Sequence, residues 1–283
     1  MSATTAIPSS TAGASHAVQH PGGAAASVMT MTVVSLKSFV REPIAFIMGL
    51  CYPVFMMVLF NAVFPGTMDG GITFGEYMLP AMISMGVLMT CMQTLAIAVA
   101  AERETGELKR LAVLPVPPWS YVVAKCAANA VLALINVVVI MLVGNLALGI
   151  RLPSSVNSWG LAALTLVLTV ATCTALGLAI GRLCPSSRAA AGILTPVVII
   201  LQFVSGLFLP LGQLPGWMVH GFSMLPVRWF AELMREAFLP PTFAIAEPTG
   251  RWETGKGLAV VTAWLVVGVV AAIVISKRDT VDR

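Results

Sequence analysis

The amino-acid sequence predicts an all-α integral membrane protein with six transmembrane helices, and three observations support this fold class. Hydrophobic residues make up 58% of the 283-residue chain and charged residues 10%, whereas soluble domains carry about 25% charged residues. The apolar residues gather into long runs separated by short polar stretches. The basic residues lie mainly at alternate ends of these runs, as expected for membrane topology. The sequence therefore predicts one membrane domain, residues 28–283, rather than one or two soluble domains.

The N-terminal region divides into a polar tail and an amphipathic segment. Residues 1–27 are rich in Ala, Ser, Thr and Gly and contain no Lys or Arg, which excludes a signal-peptide n-region. We expect a disordered cytoplasmic tail there. From Val28 to Glu42, apolar residues recur at helical spacing opposite polar ones. This pattern predicts a helix lying at the membrane surface.

Six apolar runs approach the roughly 20 residues that cross a bilayer. An even number of spans places both termini on one side. The loops 65–76 and 150–159 contain Arg151 as their only basic residue, whereas most other Lys and Arg residues lie at the opposite ends of the spans. The positive-inside rule therefore predicts cytoplasmic termini for a multi-pass protein of the cell membrane. The predicted spans cover 44–64, 77–100, 126–149, 160–182, 189–211 and 257–276.

A long segment, 212–256, separates the fifth and sixth spans on the predicted outer side, and its tryptophans suit the membrane interface. After Pro226, apolar residues recur on one helical face and charged residues on the other. This pattern predicts a short amphipathic helix at the outer surface. Two roles remain open for the segment, a cover that caps the bundle or a gate over an exit path. The candidate gate residues are Trp217, Pro226, Trp229 and Phe230.

The residues present disfavour several functional classes. None of the twelve acidic residues lies in the middle of a predicted span, whereas proton-coupled carriers need buried ionisable groups there. The basic residues are spread among loops without interleaved aromatics, so no nucleic-acid partner is indicated. The cysteines and histidines lack metal-ligand spacing, and no motif pairs a nucleophile with a base.

The run from Gly250 to Gly257 has the glycine and lysine spacing of a phosphate-binding P-loop, but no hydroxyl residue follows Lys256. That hydroxyl is needed on Mg²⁺, and the run lies on the predicted outer side, away from cytoplasmic ATP. We therefore expect the chain to bind no cofactor directly and to have no enzymatic activity. The remaining interpretation is a transporter subunit that receives its energy from another polypeptide.

The charged segment after the second span carries the most functional information. Acidic residues come first and basic residues last, an order that complements a helix dipole, and prolines follow. The segment is therefore predicted to form a short cytoplasmic helix that protrudes and can bind a soluble partner. On the charge pattern alone, a solvated connection is the alternative. The segment comprises Glu102, Arg103, Glu104, Thr105, Gly106, Glu107, Leu108, Lys109, Arg110 and Leu111.

This segment resembles the signature of the type 2 ATP-binding-cassette (ABC) exporter permeases, with daunorubicin-resistance permeases among the most similar in appearance. The signature combines Glu-Arg-Glu, a glycine two residues on, two leucines, a proline and a later lysine. The resemblance covers most of the chain from about residue 28, including the outer stretches 205–210 and 214–217, whereas the tail and Pro117-Pro118 are less typical. The matching residues are Glu102, Arg103, Glu104, Gly106, Leu108, Leu111, Pro115 and Lys125.

The resemblance implies a six-span permease domain over 28–283, surrounded by membrane lipid, that pairs with a second copy or a homologous permease. Two copies of a cytoplasmic ABC ATPase subunit would bind the pair, and ATP and Mg²⁺ would act through that partner. The charged helix would fit a cleft in the ATPase, where Gly106 permits close approach and Leu108 and Leu111 supply apolar contact. The substrate is expected to be an amphipathic compound such as a drug, an antibiotic or a lipid-like molecule.

Two other functional classes remain open from the sequence. One is a carrier that works without an ATPase, so that the purified chain alone would move substrate down an ion gradient. The other is a membrane-embedded structural or sensory partner, for which hydrolysis by an associated ATPase would not depend on substrate.

Overall fold

A computed structural model describes residues 24–41, 43–67, 71–108, 110, 118–208, 211 and 215–281. Within these ranges the chain is helical, and its only β pairing is an isolated bridge between Thr67 and Thr73. The predicted all-α class is thereby confirmed for the described residues. The helices are α1 (Ala24–Arg41), α2 (Pro43–Val63), α3 (Phe74–Glu104), α4 (Pro118–Leu148), α5 (Val156–Leu183), α6 (Ser187–Val204), α7 (Gly216–Phe222), α8 (Pro226–Phe238) and α9 (Thr254–Val281), with a 3₁₀ turn at Pro241–Ala246.

Helices of this chain cross the membrane several times, as their length and composition indicate. Five helices of the described part are long and apolar enough to do so, and they coincide with the second to sixth predicted spans. α2 occupies the position of the first predicted span, and its described apolar part, Gly49–Val63, is shorter than the other five. The sixth crossing therefore stays a prediction. The five segments are Phe74–Glu104, Trp119–Leu148, Val156–Leu183, Ser187–Val204 and Thr254–Ile275.

α1 forms where the amphipathic segment is predicted and packs along α4. Its Thr32 hydroxyl lies 3.5 Å from the backbone oxygen of Ala124, whereas the side chain of Met29 is exposed. Residues 24–27, predicted as part of the tail, instead begin this helix, because three consecutive alanines favour helix formation. The rest of the predicted tail, residues 1–23, lies outside the described residues.

Polar side chains of the long helices connect neighbouring helices, through an exposed contact for Gln93 and a buried one for Asn129. α3 contains a π-helical turn at Met89–Thr94, from which the Gln93 amide donates to the Thr195 hydroxyl of α6 over 3.1 Å. The Asn129 amide of α4 donates to the Thr174 hydroxyl of α5, also over 3.1 Å. Gln93 and Asn129 thus each join two helices of the bundle. Such bonds satisfy polar groups where the bilayer offers no water.

α5 approaches α3 closely because two glycines, Gly177 and Gly181, face it one turn apart. A Cβ atom at Gly177 would lie 2.9 Å from the backbone oxygens of Cys91 and Met92. A Cβ atom at Gly181 would lie 2.6 Å from the backbone oxygen of Ala96. Small residues spaced by four let membrane helices pack backbone to backbone. This contact holds the second half of α3 firmly against α5.

α8 lies inside the bundle rather than on its surface. It packs against α3, α5 and α9, and both its apolar and its charged faces are buried. The Ser84 hydroxyl of α3 donates to the backbone oxygen of Phe230 over 3.2 Å. Because Ser84 is the eleventh residue of α3, α8 reaches well past the end of that helix. The prediction of an amphipathic helix at the outer surface is therefore wrong in its placement, although the helix itself is confirmed.

Candidate coupling site and the buried outer helix

The charged segment begins as the last turn of α3 and is interrupted at Gly106. The Thr105 N–H donates to the backbone oxygen of Ala101 over 2.9 Å, and Gly106 then adopts a φ of +76°. This left-handed conformation is accessible to glycine and ends the helix. Helical conformation resumes at Glu107, with the Arg110 N–H donating to the backbone oxygen of Gly106. The prediction of one continuous helix over 102–111 is therefore wrong.

Glu102 connects the end of α3 to the beginning of α4. Its carboxylate accepts hydrogen bonds from the Tyr121 hydroxyl at 2.7 Å and from the Lys125 ammonium at 2.5 Å. The ammonium also lies 5.5 Å from the centre of the Tyr121 ring, and the Arg182 guanidinium lies 5.7 Å from the same ring. Lys125 and Glu102, the lysine and the first glutamate of the family signature, are therefore in direct contact. These contacts also offset the unfavourable position of an acid at a helix C-terminus.

Arg103 connects α3 to the end of α5. Its guanidinium donates to the backbone oxygen of Arg182 over 2.6 Å and lies 3.4 Å from the backbone oxygen of Cys184. Backbone oxygens at a helix C-terminus have no partner within their own helix, and the helix dipole makes this end attractive to cations. Arg103 thus fixes the turn that leads from α5 into α6.

Glu104 connects α3 to the beginning of α6. One of its carboxylate oxygens accepts from the Ser187 N–H at 3.0 Å and from the Ser187 hydroxyl at 3.1 Å. The Ser186 hydroxyl caps the same helix by accepting from the Ala189 N–H. An acid at a helix N-terminus satisfies free N–H groups and complements the dipole.

Glu102, Arg103 and Glu104 thus bind three different parts of the bundle, and we call these residues the 102–104 clasp. The contacts reach α4, the end of α5 and the beginning of α6. All three side chains lie on the last turn of α3, so this one turn contacts three helix ends. The sequence singled out these residues, but their partners Tyr121 and Ser187 and the backbone oxygen of Arg182 were not predictable from spacing.

The remaining residues of the charged segment lie beyond the break. Glu107 and Arg110 are exposed and Leu108 is half-buried. Lys109 and Leu111, predicted to contribute to the same surface, lie outside the described residues. At Gly106 a Cβ atom would meet nothing within 4 Å in this chain, so the backbone conformation, not crowding within the chain, is what requires glycine there.

The four candidate gate residues do not form one site. Trp217 of α7 is 73% exposed, whereas Pro226, Trp229 and Phe230 of α8 are buried. The Trp229 indole N–H donates to the backbone oxygen of Ser223 over 2.8 Å, which satisfies its polar atom inside the bundle. The expectation that Trp229 lies at the membrane interface is therefore wrong. A gating role for α8 stays a prediction.

The charged face of α8 belongs to a buried ionic cluster, which we call the outer charge cluster. Arg235, 1% exposed, donates to Glu247 over 2.8 Å and to the backbone oxygen of Gly206 over 3.0 Å. The Tyr77 hydroxyl donates to the same oxygen over 3.0 Å. Buried ionic groups require partners, which explains this convergence. The cluster comprises Arg228, Glu232, Arg235, Glu236 and Glu247.

Sequence reasoning missed this cluster because charges opposite an apolar face usually face water. Burial, followed by the neighbouring charge of Glu247, raises the pKa of Glu232 to about 7. Burial alone would lower the pKa of Arg235, but Glu247 and Tyr77 raise it above its ordinary value. One feature of the sequence could have indicated the cluster. Glu247 lies only nine residues after the end of α8, so its carboxylate was an available partner for an arginine of that helix.

The former P-loop candidate has a structural role in the same region. Its residues from Thr254 onward belong to α9, and the Lys256 ammonium lies 3.4 Å from Glu253 within one helical turn. Among the described residues, no strand precedes the run, as a P-loop would require. In the same described part, no three His, Cys, Asp or Glu side chains are grouped to hold a metal ion.

A family profile described as ABC-2 type transporter matches residues 26–239. The chain belongs to this family. The match covers the clasp, the π-helical turn and α8, and its start falls within α1. The sequence resemblance to type 2 ABC permeases is thereby confirmed.

Two relatives illustrate the breadth of the ABC-2 family around this chain. The probable doxorubicin resistance ABC transporter permease protein DrrC of Mycobacterium tuberculosis (strain H37Rv) is 29% identical over 224 residues, which cover 74% of this chain and 76% of DrrC. The probable multidrug ABC transporter permease YbhR of Escherichia coli (strain K12) is 25% identical over 167 residues, 58% of this chain. The matched region spans 44% of YbhR, less than half of that protein.

Proposed function

We propose that this chain is the permease subunit of an ATP-driven exporter that moves an amphipathic compound out of the cell. The observation that carries the proposal is the 102–104 clasp, in which three consecutive charged residues bind three helix ends. Membership of the ABC-2 family and similarity to relatives named as drug-resistance permeases support the substrate class. ATP and Mg²⁺ would bind in a separate ATPase subunit, and this chain would have no enzymatic activity.

The proposed mechanism begins at the segment after Gly106. Two copies of a cytoplasmic ABC ATPase would contact residues 107–111 on two permease copies, or on this chain and a homologous permease. Closure of the ATPase pair on ATP would move the end of α3. Because the clasp binds α4, α5 and α6 directly, that movement would reach three further helix ends without passing through the apolar interior. Membrane lipid would cover the remaining apolar surface.

The proposal requires that the clasp face the cytoplasm, with both termini on that side of the cell membrane. In a cysteine-free background, we expect single cysteines at Thr4 and Thr280 to be protected from an impermeant thiol reagent in intact cells. A cysteine at Thr67 should react. Reaction at both ends from outside would contradict the orientation and, with it, the ATPase contact.

The deciding experiment is purification of the full chain with each candidate ATPase encoded beside it, followed by reconstitution in vesicles. We expect ATPase copurification and ATP-dependent movement of an amphipathic cation such as doxorubicin across the vesicle membrane. Movement driven by an ion gradient in vesicles that contain this chain alone would favour a carrier. ATP hydrolysis that no tested amphipathic compound changes would favour a structural or sensory partner.

A further inference from the structure

The outer charge cluster contains more acidic than basic groups. Its two guanidinium groups, Arg228 and Arg235, face three carboxyl groups, Glu232, Glu236 and Glu247. The nearby Glu253 does not alter this balance, because it pairs with Lys256 at 3.4 Å. A carboxylate without a compensating cation is costly away from water. One acid of the cluster is therefore favoured to hold a proton while α8 is buried.

Of the two fully buried acids, Glu232 and Glu247, Glu232 has the weaker compensation. One of its oxygens accepts from the Glu253 N–H at 3.2 Å, but the other has no hydrogen-bond partner although it is buried. The closest guanidinium atom, on Arg228, lies 3.7 Å away, too far for a hydrogen bond. Glu236 and Glu247 each also have one oxygen without a hydrogen-bond partner. Glu247, however, has Arg235 at 2.8 Å, and Glu236 is only half-buried and accepts from the Thr254 hydroxyl at 2.5 Å.

Among the described residues, the elements packed around α8 place no other cation in ion-pair contact with Glu232, although Arg235 on α8 itself also favours its ionised form and Arg251 before α9 is exposed. α3 contributes Tyr77, whose hydroxyl is engaged by Gly206, and the segment after the 3₁₀ turn contributes Glu247. The charged residues of α5 and α6, Arg182 and Arg188, are at the opposite end of the bundle beside the clasp. α9 contributes Lys256, which is 58% exposed and directed at Glu253, and α7 carries an exposed His220.

We propose that Glu232 makes α8 a proton-sensitive catch: it holds a proton while α8 is buried and releases it when α8 moves into contact with water. The charged side chains of the helix contact three other segments: α7 through Val219, the turn after α6 through Gly206, and the stretch before α9 through Glu247 and Glu253. Ionising Glu232 in place leaves the cluster with one uncompensated negative charge close to Glu247. Relief of that repulsion by hydration is the force that would loosen the catch.

The direction of the pH effect follows from linkage. The buried carboxyl has a pKa of about 7, raised by burial first and by Glu247 second, against 4.5 for the carboxyl in water. Protonation of Glu232 therefore stabilises buried α8 fully below pH 4.5, the pKa of the carboxyl in water. This stabilisation is lost as pH rises through about 7, the pKa of the buried carboxyl. Across this window the ratio of buried to open α8 should fall on the order of a hundredfold.

Infrared difference titration of the purified full chain in lipid discs tests the proton directly. Between about pH 5 and about pH 9 we expect one protonated-carboxyl band to disappear with a midpoint near neutrality. Glu232→Gln should abolish this band, whereas Glu236→Gln, one turn away, should leave it. A band that is absent throughout, or that survives Glu232→Gln, would overturn the assignment.

A second measurement tests the movement of α8 in a cysteine-free chain. Ala237→Cys places a thiol on the buried helix, and Thr242→Cys places a reference thiol at an exposed position close by. Dividing the two labelling rates removes the intrinsic pH dependence of thiol reactivity. The ratio should rise with pH in the otherwise unchanged chain and stay low when Glu232→Gln is added. A rise of equal size with Glu232→Gln would overturn the proposal.

Neither measurement needs ATP, an ATPase or a transported compound. Failure of the proton catch would therefore leave the proposed permease function untouched. Conversely, failure of ATPase copurification would leave the buried, protonated state of Glu232 intact.

Discussion

Ser187 donates both its backbone N–H and its hydroxyl to one oxygen of Glu104, over 3.0 Å and 3.1 Å. The two residues are 83 positions apart in sequence. Their contact joins the end of α3 to the beginning of α6. If an ATPase moves the charged segment as we propose, that movement would therefore reach this helix junction directly.

The Glu104 contact predicts a difference between loss of charge and loss of the acceptor. Glu104→Gln keeps an oxygen that can accept from Ser187 and should retain much of the ATP-dependent transport. Glu104→Lys places a donor against two donors and should abolish transport while membrane insertion stays normal. Insertion, ATPase retention and efflux should be measured in parallel for both variants. Full efflux by Glu104→Lys would mean that the junction is not part of coupling.

Gly106 provides a test of backbone conformation against steric fit. Because φ is +76° and no atom lies within 4 Å of the position that a Cβ would occupy, Gly106→Ala should cost about 1–2 kcal/mol of local strain. Gly106→Asn should cost less, since asparagine tolerates this region. We expect efflux in the order glycine, asparagine, alanine. If alanine is harmless and Gly106→Leu alone fails, the constraint is instead close approach by the ATPase.

Lys125 should contribute to stability as well as to coupling. Lys125→Met removes a charged hydrogen bond to Glu102 at a partly buried position, where such bonds contribute about 1.5–3 kcal/mol. Thermal unfolding in detergent, followed by circular dichroism, should show a clear decrease in the midpoint. Lys37→Met, at an exposed position on α1, is the matched control and should leave the midpoint nearly unchanged. Equal midpoints for the two variants would contradict the importance of the ion pair.

The contact between α3 and α5 predicts that two glycines tolerate no side chain. Gly177→Ala and Gly181→Ala would each place a Cβ within 3 Å of backbone oxygens, and such overpacking costs about 1–3 kcal/mol. Gly160→Ala on the same helix meets nothing within 4 Å, and its better helix propensity should stabilise by up to about 1 kcal/mol. Unfolding midpoints of the three variants test this: the midpoint should fall for Gly177→Ala and Gly181→Ala and rise for Gly160→Ala. A midpoint for Gly181→Ala equal to that of Gly160→Ala would refute the close contact.

Most helices were predictable because a bilayer imposes a length and a composition on each crossing. The second to sixth apolar runs correspond to α3, α4, α5, α6 and α9, with ends that differ by up to seven residues. The break at Gly106 was less visible, because a glycine between charged residues is compatible with both a helix and a turn. What selects the turn is the φ of +76°, a property of the folded chain.

The placement of α8 illustrates the limit of periodicity. Apolar and charged residues on opposite helical faces predict a helix. The pattern does not indicate whether the charged face contacts water or other charged residues. Arg235 has the same pattern whether water or Glu247 is its partner, and the choice depends on a residue twelve positions away in a separate turn. In the structure the two charges pair inside the bundle. The helix that the pattern places at the surface, α8, is therefore an interior helix.

The last prediction concerns that pair. Arg235→Met leaves Glu247 without its guanidinium, and Glu247→Met leaves Arg235 with the Gly206 oxygen. Each single change should lower the free energy of unfolding by about 3–5 kcal/mol, because it strands a buried charge. The double variant should recover most of this loss, since apolar side chains of similar size can replace a buried ion pair at little cost, and the Tyr77 hydroxyl continues to donate to Gly206.

Denaturant unfolding of the four species gives the coupling energy directly. Lys256, whose side chain is 58% exposed where it contacts Glu253, is the control, because Lys256→Met should change stability by less than about 1 kcal/mol. If the losses from Arg235→Met and Glu247→Met simply add in the double variant, the two residues act independently. In that case the ion pair would not be what holds α8 inside the bundle.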